Sequence, residues 1–126
     1  YEYTAVHMGT EWKLILYAAD QGAADDASEA AFKRVAELDV VMSDYNAKSE
    51  LMKLCAANDA APGKPVVVSD DLLKVLTLAQ GVSEQTDGAF DITVGPVVKL
   101  WRAARKSKQL PKEDDLNAAK ELVGHK

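Results

Sequence analysis

Gly88-Ala89-Phe90-Asp91-Ile92-Thr93-Val94-Gly95-Pro96 packs two glycines, a small residue, an aromatic, a carboxylate and a hydroxyl into one short run. Glycine and alanine let a flat ligand or another backbone come close. Asp91 can accept hydrogen bonds from a ribose or an exocyclic amine. The free amides of a helix opening at Pro96 can receive a phosphate. The same residues also suit a turn at Thr86-Asp87-Gly88, a buried strand from Ala89 to Val94 and a capped helix, with Asp91 bonding nearby backbone. Residue types alone favour this second reading, because loops that bind and loops that only turn use the same residues.

Downstream, Val97, Leu100, Trp101 and Ala104 recur at helical spacing after Pro96. A basic, solvated stretch follows from Arg102 to Lys108. Pro111 opens a last helix carrying Leu116, Ala119, Leu122 and Val123, and Gly124 suits its C-cap. Upstream, Ser69 caps a helix with core positions Leu72, Leu73, Leu76 and Ala79. The β-branched run Val66-Val67-Val68 reads as a brief strand, preceded by a loop from Asn58 to Lys64.

The clearest helix follows Asp20-Gln21-Gly22, where Ala24, Ala27, Ala31, Val35, Leu38 and Met42 form one apolar stripe. Ser43-Asp44-Tyr45-Asn46 breaks it, and Ser49 caps a short helix with Leu51, Met52 and Leu54. The first eighteen residues read as two short strands about a turn at Gly9-Thr10. Trp12, Leu14 and Leu16 share one face; Lys13, Ile15 and Tyr17 share the other, which is apolar enough to expect cover on both sides. The fold class is α+β: about five helices packed on a small mixed or antiparallel sheet of three or four short strands. So few strands cannot cover that much helix, so the chain reads as an incomplete piece of a larger sheet-centred fold.

Bulk properties narrow the function. The chain has 126 residues and a formal net charge of −5, with no basic stripe, which argues against nucleic acid as a partner. No apolar run approaches the roughly 20 residues a transmembrane helix needs. The sequence opens on Tyr1 and not on an initiator methionine, so the start is expected to have been cut; any export or lipid-attachment signal would have gone with it, and membrane anchoring is expected to be possible only through such a segment. Cys55 is the single cysteine, so no intramolecular disulfide forms.

Candidate chemistry is sparse. His7, Cys55 and His125 lack the spacing of a tetrahedral metal site, and no metal ligand is assigned. The acidic pairs Asp25-Asp26, Asp70-Asp71 and Asp114-Asp115 each fall in the opening turn of an expected helix, where the backbone dipole stabilises negative charge. Adjacent helical residues point apart, which argues against a catalytic role. Neither a glycine-rich phosphate cradle nor a nucleophile elbow is present. Tyr45 can stack on a flavin or adenine face or sit half-buried at a helix corner. Met8, expected at the end of the first strand, can touch the same ligand or fill core space.

Taken in order, these segments resemble the N-terminal portion of the FAD:protein FMN transferase (ApbE) family. The matching stretches are His7-Met8-Gly9-Thr10, the strand from Trp12 to Tyr17, Met42-Ser43-Asp44-Tyr45, Ser49-Glu50-Leu51, Val68-Ser69-Asp70-Asp71-Leu72, and Gly88 to Pro96 running on to Leu100-Trp101. The run from Gly88 to Pro96 is the most specific. Cys55 and Asn58 depart slightly from the family's Leu-Asn-rich helix end.

The resemblance implies that residues 1–126 are the N-terminal part of a single flavin transferase domain. Such a domain binds FAD and, with Mg2+, transfers FMN to a threonine hydroxyl of an acceptor protein, releasing AMP. By position, Met8, Tyr45, Ala89, Phe90 and Asp91 resemble the family's FAD-contacting residues: Met8 packs, Tyr45 stacks, and the Ala89–Asp91 loop recognises the nucleotide end, all lining one cleft. It further implies a lipoprotein on the periplasmic side of the bacterial inner membrane. The family's metal-binding Asp and Thr and its His-containing segment lie downstream of the stretch matched here, so the chain alone is expected to lack the catalytic half. Two alternatives stay open: a non-catalytic flavin-binding module, and an interaction domain completed by another chain.

Overall fold

The computed structural model describes residues 1–124; His125, weighed above as a metal ligand, lies outside the described residues. The chain divides into two compact units, Tyr1–Leu73 and Lys74 onward. Among the described residues, five α-helices, one 3-10 turn and one two-stranded antiparallel sheet make up the regular structure, so the class is α+β. No described helix is long and apolar enough to cross a membrane.

The first unit opens with a hairpin, β1 (Glu2–His7) and β2 (Thr10–Ile15), paired from Glu2↔Ile15 to His7↔Thr10. The turn is Met8-Gly9, one residue earlier than expected. Both residues are left-handed, with φ of +50° and +72°, as a two-residue turn matched to the strand twist requires. Tyr3, Ala5 and His7 alternate towards α1 (Gln21–Met42), and His7 stacks on Phe32 with ring centroids 5.9 Å apart. The expected cover on both faces is not found: Ile15 and Tyr17 are exposed.

Asp20 caps α1, accepting from the Ala23 amide at 2.9 Å. Helix α1 therefore begins at Gln21, and Asp25-Asp26 falls in its second turn, not the opening one. Asp25 instead accepts from the Tyr3 hydroxyl at 2.6 Å and from Gln21 at 2.8 Å, which ties the hairpin to the helix. The buried stripe runs through Ala24 and Ser28, and Ala27 is exposed, because a three-residue step drifts off a stripe fixed by a four-residue one.

Helix α2 (Glu50–Ala60) starts at the buried cap Ser49, whose hydroxyl accepts from the Met52 amide at 3.1 Å. Val66-Val67-Val68 belongs to no described strand or helix, and Val67 is fully exposed. The expected strand does not form, since no described strand offers it an edge. Ser69 caps α3 (Asp70–Gln85) and donates its N–H and O–H to the two Glu50 carboxylate oxygens at 2.5 and 2.7 Å. Arg34 adds a bond to Asp71. Leu72 is buried, while its neighbour Leu73, expected in the core, is exposed, because consecutive helical side chains diverge.

The second unit takes up α3 beyond Lys74. That helix ends in a reversed turn: Asp87 and Gly88 are left-handed, and the Gly88 amide donates to the Ser83 carbonyl at 2.9 Å. A 3-10 turn (Ile92–Val94) leads into α4 (Gly95–Ser107), with Pro96 in its first turn. The stretch from Arg102 to Ser107 belongs to this helix, which closes at Lys108 in the left-handed region. Helix α5 (Glu113–Lys120) packs on α4 and buries Ala119. It starts two residues after Pro111 and ends before Leu122, which is exposed. Gly124 is not its C-cap; the Gly124 amide donates to Thr93 Oγ1 at 2.8 Å.

Candidate functional site

Two of the five residues singled out for ligand contact come together in the first unit. The Met8-Gly9 turn and the C-terminal end of α1 border an open cleft of about 370 Å3, lined by Met8, Gly9, Asp39, Met42, Ser43, Asp44 and Tyr45. Each wall follows from local sequence. The hairpin turn projects Met8 because two left-handed residues reverse the chain there. Ser43 stops α1 in extended conformation, its amide bonding the Asp39 carbonyl at 2.9 Å, and so turns Asp44 and Tyr45 off the helix axis. Tyr45 is 76% exposed and Met8 41%, so both present apolar surface to solvent within a concave site. That suits stacking against a flat, partly apolar ligand.

The rest of the lining is acidic. Asp39 and Asp44 are the only charged residues on it, and α1 carries no basic residue in its last turn to offset its negative end. Asp39 is one helical turn before Met42, and that i, i+3 relation is the sequence signal for its place in the cleft.

Ala89, Phe90 and Asp91 form a continuous bend in the second unit. Ala89 and Phe90 are exposed and Asp91 is half-buried. The expected strand from Ala89 to Val94 is absent: Asp91 Oδ1 accepts from the Thr93 amide at 2.8 Å and the Thr93 hydroxyl at 2.7 Å, which curls the chain into the 3-10 turn. Thr86 braces the other side, its hydroxyl donating to the Val82 carbonyl at 2.8 Å and accepting from the Phe90 amide at 3.1 Å. The bend is thus held from both ends, with Thr93 also receiving Gly124. Among the described residues, no side-chain hydrogen bond caps the start of α4.

Among the described residues, no three His, Cys, Asp or Glu side chains gather in a way that could hold a metal ion. His7 is engaged with Phe32, and Cys55 is an exposed thiol on α2. Among the described residues, the Tyr3 phenol is a strongly shifted acid–base group. Partial removal from water and its bond to Asp25 push it up to about 12, while Asp25 is held below the usual carboxylate value by the bonds from Tyr3 and Gln21. That cluster fastens β1 to α1.

The sequence profile of the ApbE family matches residues 8–126. The chain belongs to the ApbE family. Curated proteins named FAD:protein FMN transferase support the assignment. The Escherichia coli (strain K12) protein is 30% identical over 119 residues, and the Salmonella typhimurium protein is 34% identical over 122. Each alignment covers 93% of this chain and 33% of the relative, so this ApbE chain spans about a third of their length. The flavin transferase ApbE of Vibrio cholerae superposes with a TM-score of 0.75 at 26% identity, over 99% of this chain and 40% of that one. An ApbE protein of Thermotoga maritima superposes with a TM-score of 0.83 at 24% identity, covering 99% and 40%, which shows a shared fold.

Proposed function

We propose that this chain supplies the flavin-binding part of an FAD:protein FMN transferase. The observation that carries the reading is the cleft in which Met8 and Tyr45, both expected from residue order to touch FAD, line one concavity. Tyr45 stacks on the isoalloxazine ring and Met8 packs against its edge. The Ala89-Phe90-Asp91 bend addresses the adenosine end, with the Asp91 carboxylate already oriented by Thr93. The names of the relatives favour the same ligand class.

The reaction proposed is attack of an acceptor threonine hydroxyl on the phosphorus next to riboflavin. The new P–O bond forms as the pyrophosphate P–O bond breaks, AMP leaves, and the hydroxyl proton passes to a base. A divalent metal, Mg2+ in the family, offsets the pyrophosphate charge in such chemistry. Among the described residues, no three His, Cys, Asp or Glu side chains gather to hold such an ion. What the chain's own residues do is bind and orient: they fix the ring, and so the adjacent phosphorus, relative to the incoming hydroxyl. Placement on the periplasmic side of the inner membrane forms part of the same proposal.

A second reading is a flavin-binding module without transferase activity, resting on the same Met8–Tyr45 cleft. FAD titration monitored by flavin fluorescence, together with gel detection of covalently fluorescent acceptor, separates the two. Binding with acceptor labelling is expected for the transferase, and binding alone for the module. Absence of any FAD response would remove both. Tyr45→Ala is expected to weaken FAD binding about three- to tenfold, the loss of one aromatic stacking contact.

A further inference from the structure

We infer that a groove at the end of α4 docks the acceptor protein, gripping an acidic segment that carries one apolar side chain. The inference rests on the transferase reading above. Trp101, Ala104, Arg105, Lys108, Gln109 and Leu110 line about 240 Å3 there. That is below the roughly 300–1,000 Å3 of small-molecule sites, so the groove suits a single side chain and not a dinucleotide. Trp101 and Leu110 stay 49% and 81% exposed on it. Local sequence builds the groove. Lys108 reverses the chain at φ +59°, and the Ser107 hydroxyl accepts from the Gln109 amide at 3.3 Å and donates to the Ala104 carbonyl at 3.4 Å. Leu110 is thereby returned to the groove that Trp101 lines.

Charge selects the partner. Between Ile92 and Lys112 stand Lys99, Arg102, Arg105, Lys106, Lys108 and Lys112 and no Asp or Glu, in a chain whose net charge is −5. Arg105, Lys106 and Lys108 make no ion pair among the described residues. Basic side chains at a helix C-terminus also complement its dipole, but that role asks for no exposed aromatic beside them. Trp and Arg are enriched where protein interfaces concentrate their binding energy. The place of the groove names the partner. Helix α4 follows the Asp91 bend after one 3-10 turn, and that bend is the part proposed above to hold the adenosine end of FAD. At 1.5 Å per residue, Trp101 lies about 9 Å along the helix and Lys108 about 20 Å. A protein held in the groove is thus brought within a few residues' reach of the dinucleotide.

The probe is a dye-labelled peptide with one leucine between two runs of glutamate, titrated by anisotropy into the complete polypeptide. Versions with serine for leucine and with lysine for glutamate are the comparisons, and the leucine–glutamate peptide is expected to bind about tenfold more tightly than either. Trp101→Ala should erase the preference for leucine in low-salt and in molar-salt buffer alike, because an apolar anchor is not screened. Arg105→Gln/Lys108→Gln should weaken binding about three- to tenfold at low salt only. Lys33→Gln/Lys53→Gln, exposed on α1 and α2, removes the same total charge and should leave binding unmoved. In the labelling assay the peptide should raise the KM for the protein that becomes fluorescent about tenfold at saturation, with kcat and the KM for FAD changed less than about twofold. Equal binding of the three peptides, or binding that neither groove variant alters, would overturn the docking inference alone. A peptide that binds the groove without competing in the labelling assay would overturn it as well. So would loss of attachment to phosphatidylglycerol vesicles in the double Gln variant with peptide binding unmoved, which assigns the basic end to a membrane surface. FAD binding by the wild-type polypeptide with no labelled acceptor would overturn the transferase reading and this inference with it.

Discussion

At Met8 the backbone sits at φ +50°, a conformation that costs a side-chain-bearing residue about 1–2 kcal/mol. Glycine carries no such penalty, so Met8→Gly is expected to raise the melting temperature slightly while weakening flavin binding several-fold; calorimetry and titration of one variant check both. Gly9 is the converse case. A Cβ there meets nothing within 4 Å, yet φ is +72°. Gly9→Ala should therefore lose about 1–2 kcal/mol in denaturant unfolding from backbone conformation alone. The pair explains why a methionine stands in a turn that favours glycine. Strain held at an outlying residue is a usual sign of a working position, and here the residue projects over the cleft. The Tyr3–Asp25 contact gives a pH signature. The phenol, raised from 10.0 to about 12, contributes stability that is complete below pH 10 and lost as pH climbs towards 12. Asp25 is lowered from 3.8, so its contribution is complete above that value and lost as pH falls further. Tyr3→Phe should flatten both limbs of the melting-temperature profile relative to wild type.

At the scale of elements, helix ends decide where the site residues stand. The stop of α1 at Ser43 presents Tyr45, and the cap at Ser49 starts α2 a short turn later. Ser69 joins two elements: its hydroxyl caps α3 by accepting from Leu72 at 3.3 Å and donates to Glu50 at the start of α2. Ser69→Ala is expected to cost about 1–2 kcal/mol, the upper part of the range for a lost cap, since a carboxylate partner is lost too. Ser69→Thr should restore most of it in urea unfolding. In the second unit, Thr93 links the Asp91 bend to Gly124. Thr93→Val keeps the shape and removes both hydroxyl bonds. Amide hydrogen exchange at Phe90 to Val94 should then rise, with far-UV circular dichroism unchanged. These caps were legible as Ser, Thr or Asp ahead of apolar runs, because an N-cap bonds backbone only two or three residues away. The partners Glu50 and Gly124 were not legible, since they are distant in sequence and no local rule names them.

Across the whole molecule, much apolar surface stays in contact with water. Among the described residues, Leu72 is the one large hydrophobic side chain almost wholly buried, while Tyr17, Val67, Leu110 and Leu122 are among those largely exposed. Exposure on this scale marks surfaces suited to further polypeptide, and the relatives are about three times as long as the stretch matched here. The 126-residue chain on its own is accordingly expected to bind a hydrophobic dye such as ANS. The same segment within a full-length relative should do so much less, which limited proteolysis and dye fluorescence can compare.

Sequence alone determined the family, the five helices and the hairpin, and it singled out Met8 and Tyr45, which border one cleft. Those properties are written in short-range patterns: the period of apolar residues, caps, glycine turns, and the order of motifs. Tertiary structure alone decided which apolar residues turned inward, that Val66-Val67-Val68 and Ala89 to Val94 would not be strands, and that Asp39 and Asp44 would border the same cleft as Tyr45. A strand needs a partner edge and a cleft needs two walls, and both are supplied by residues far away along the chain.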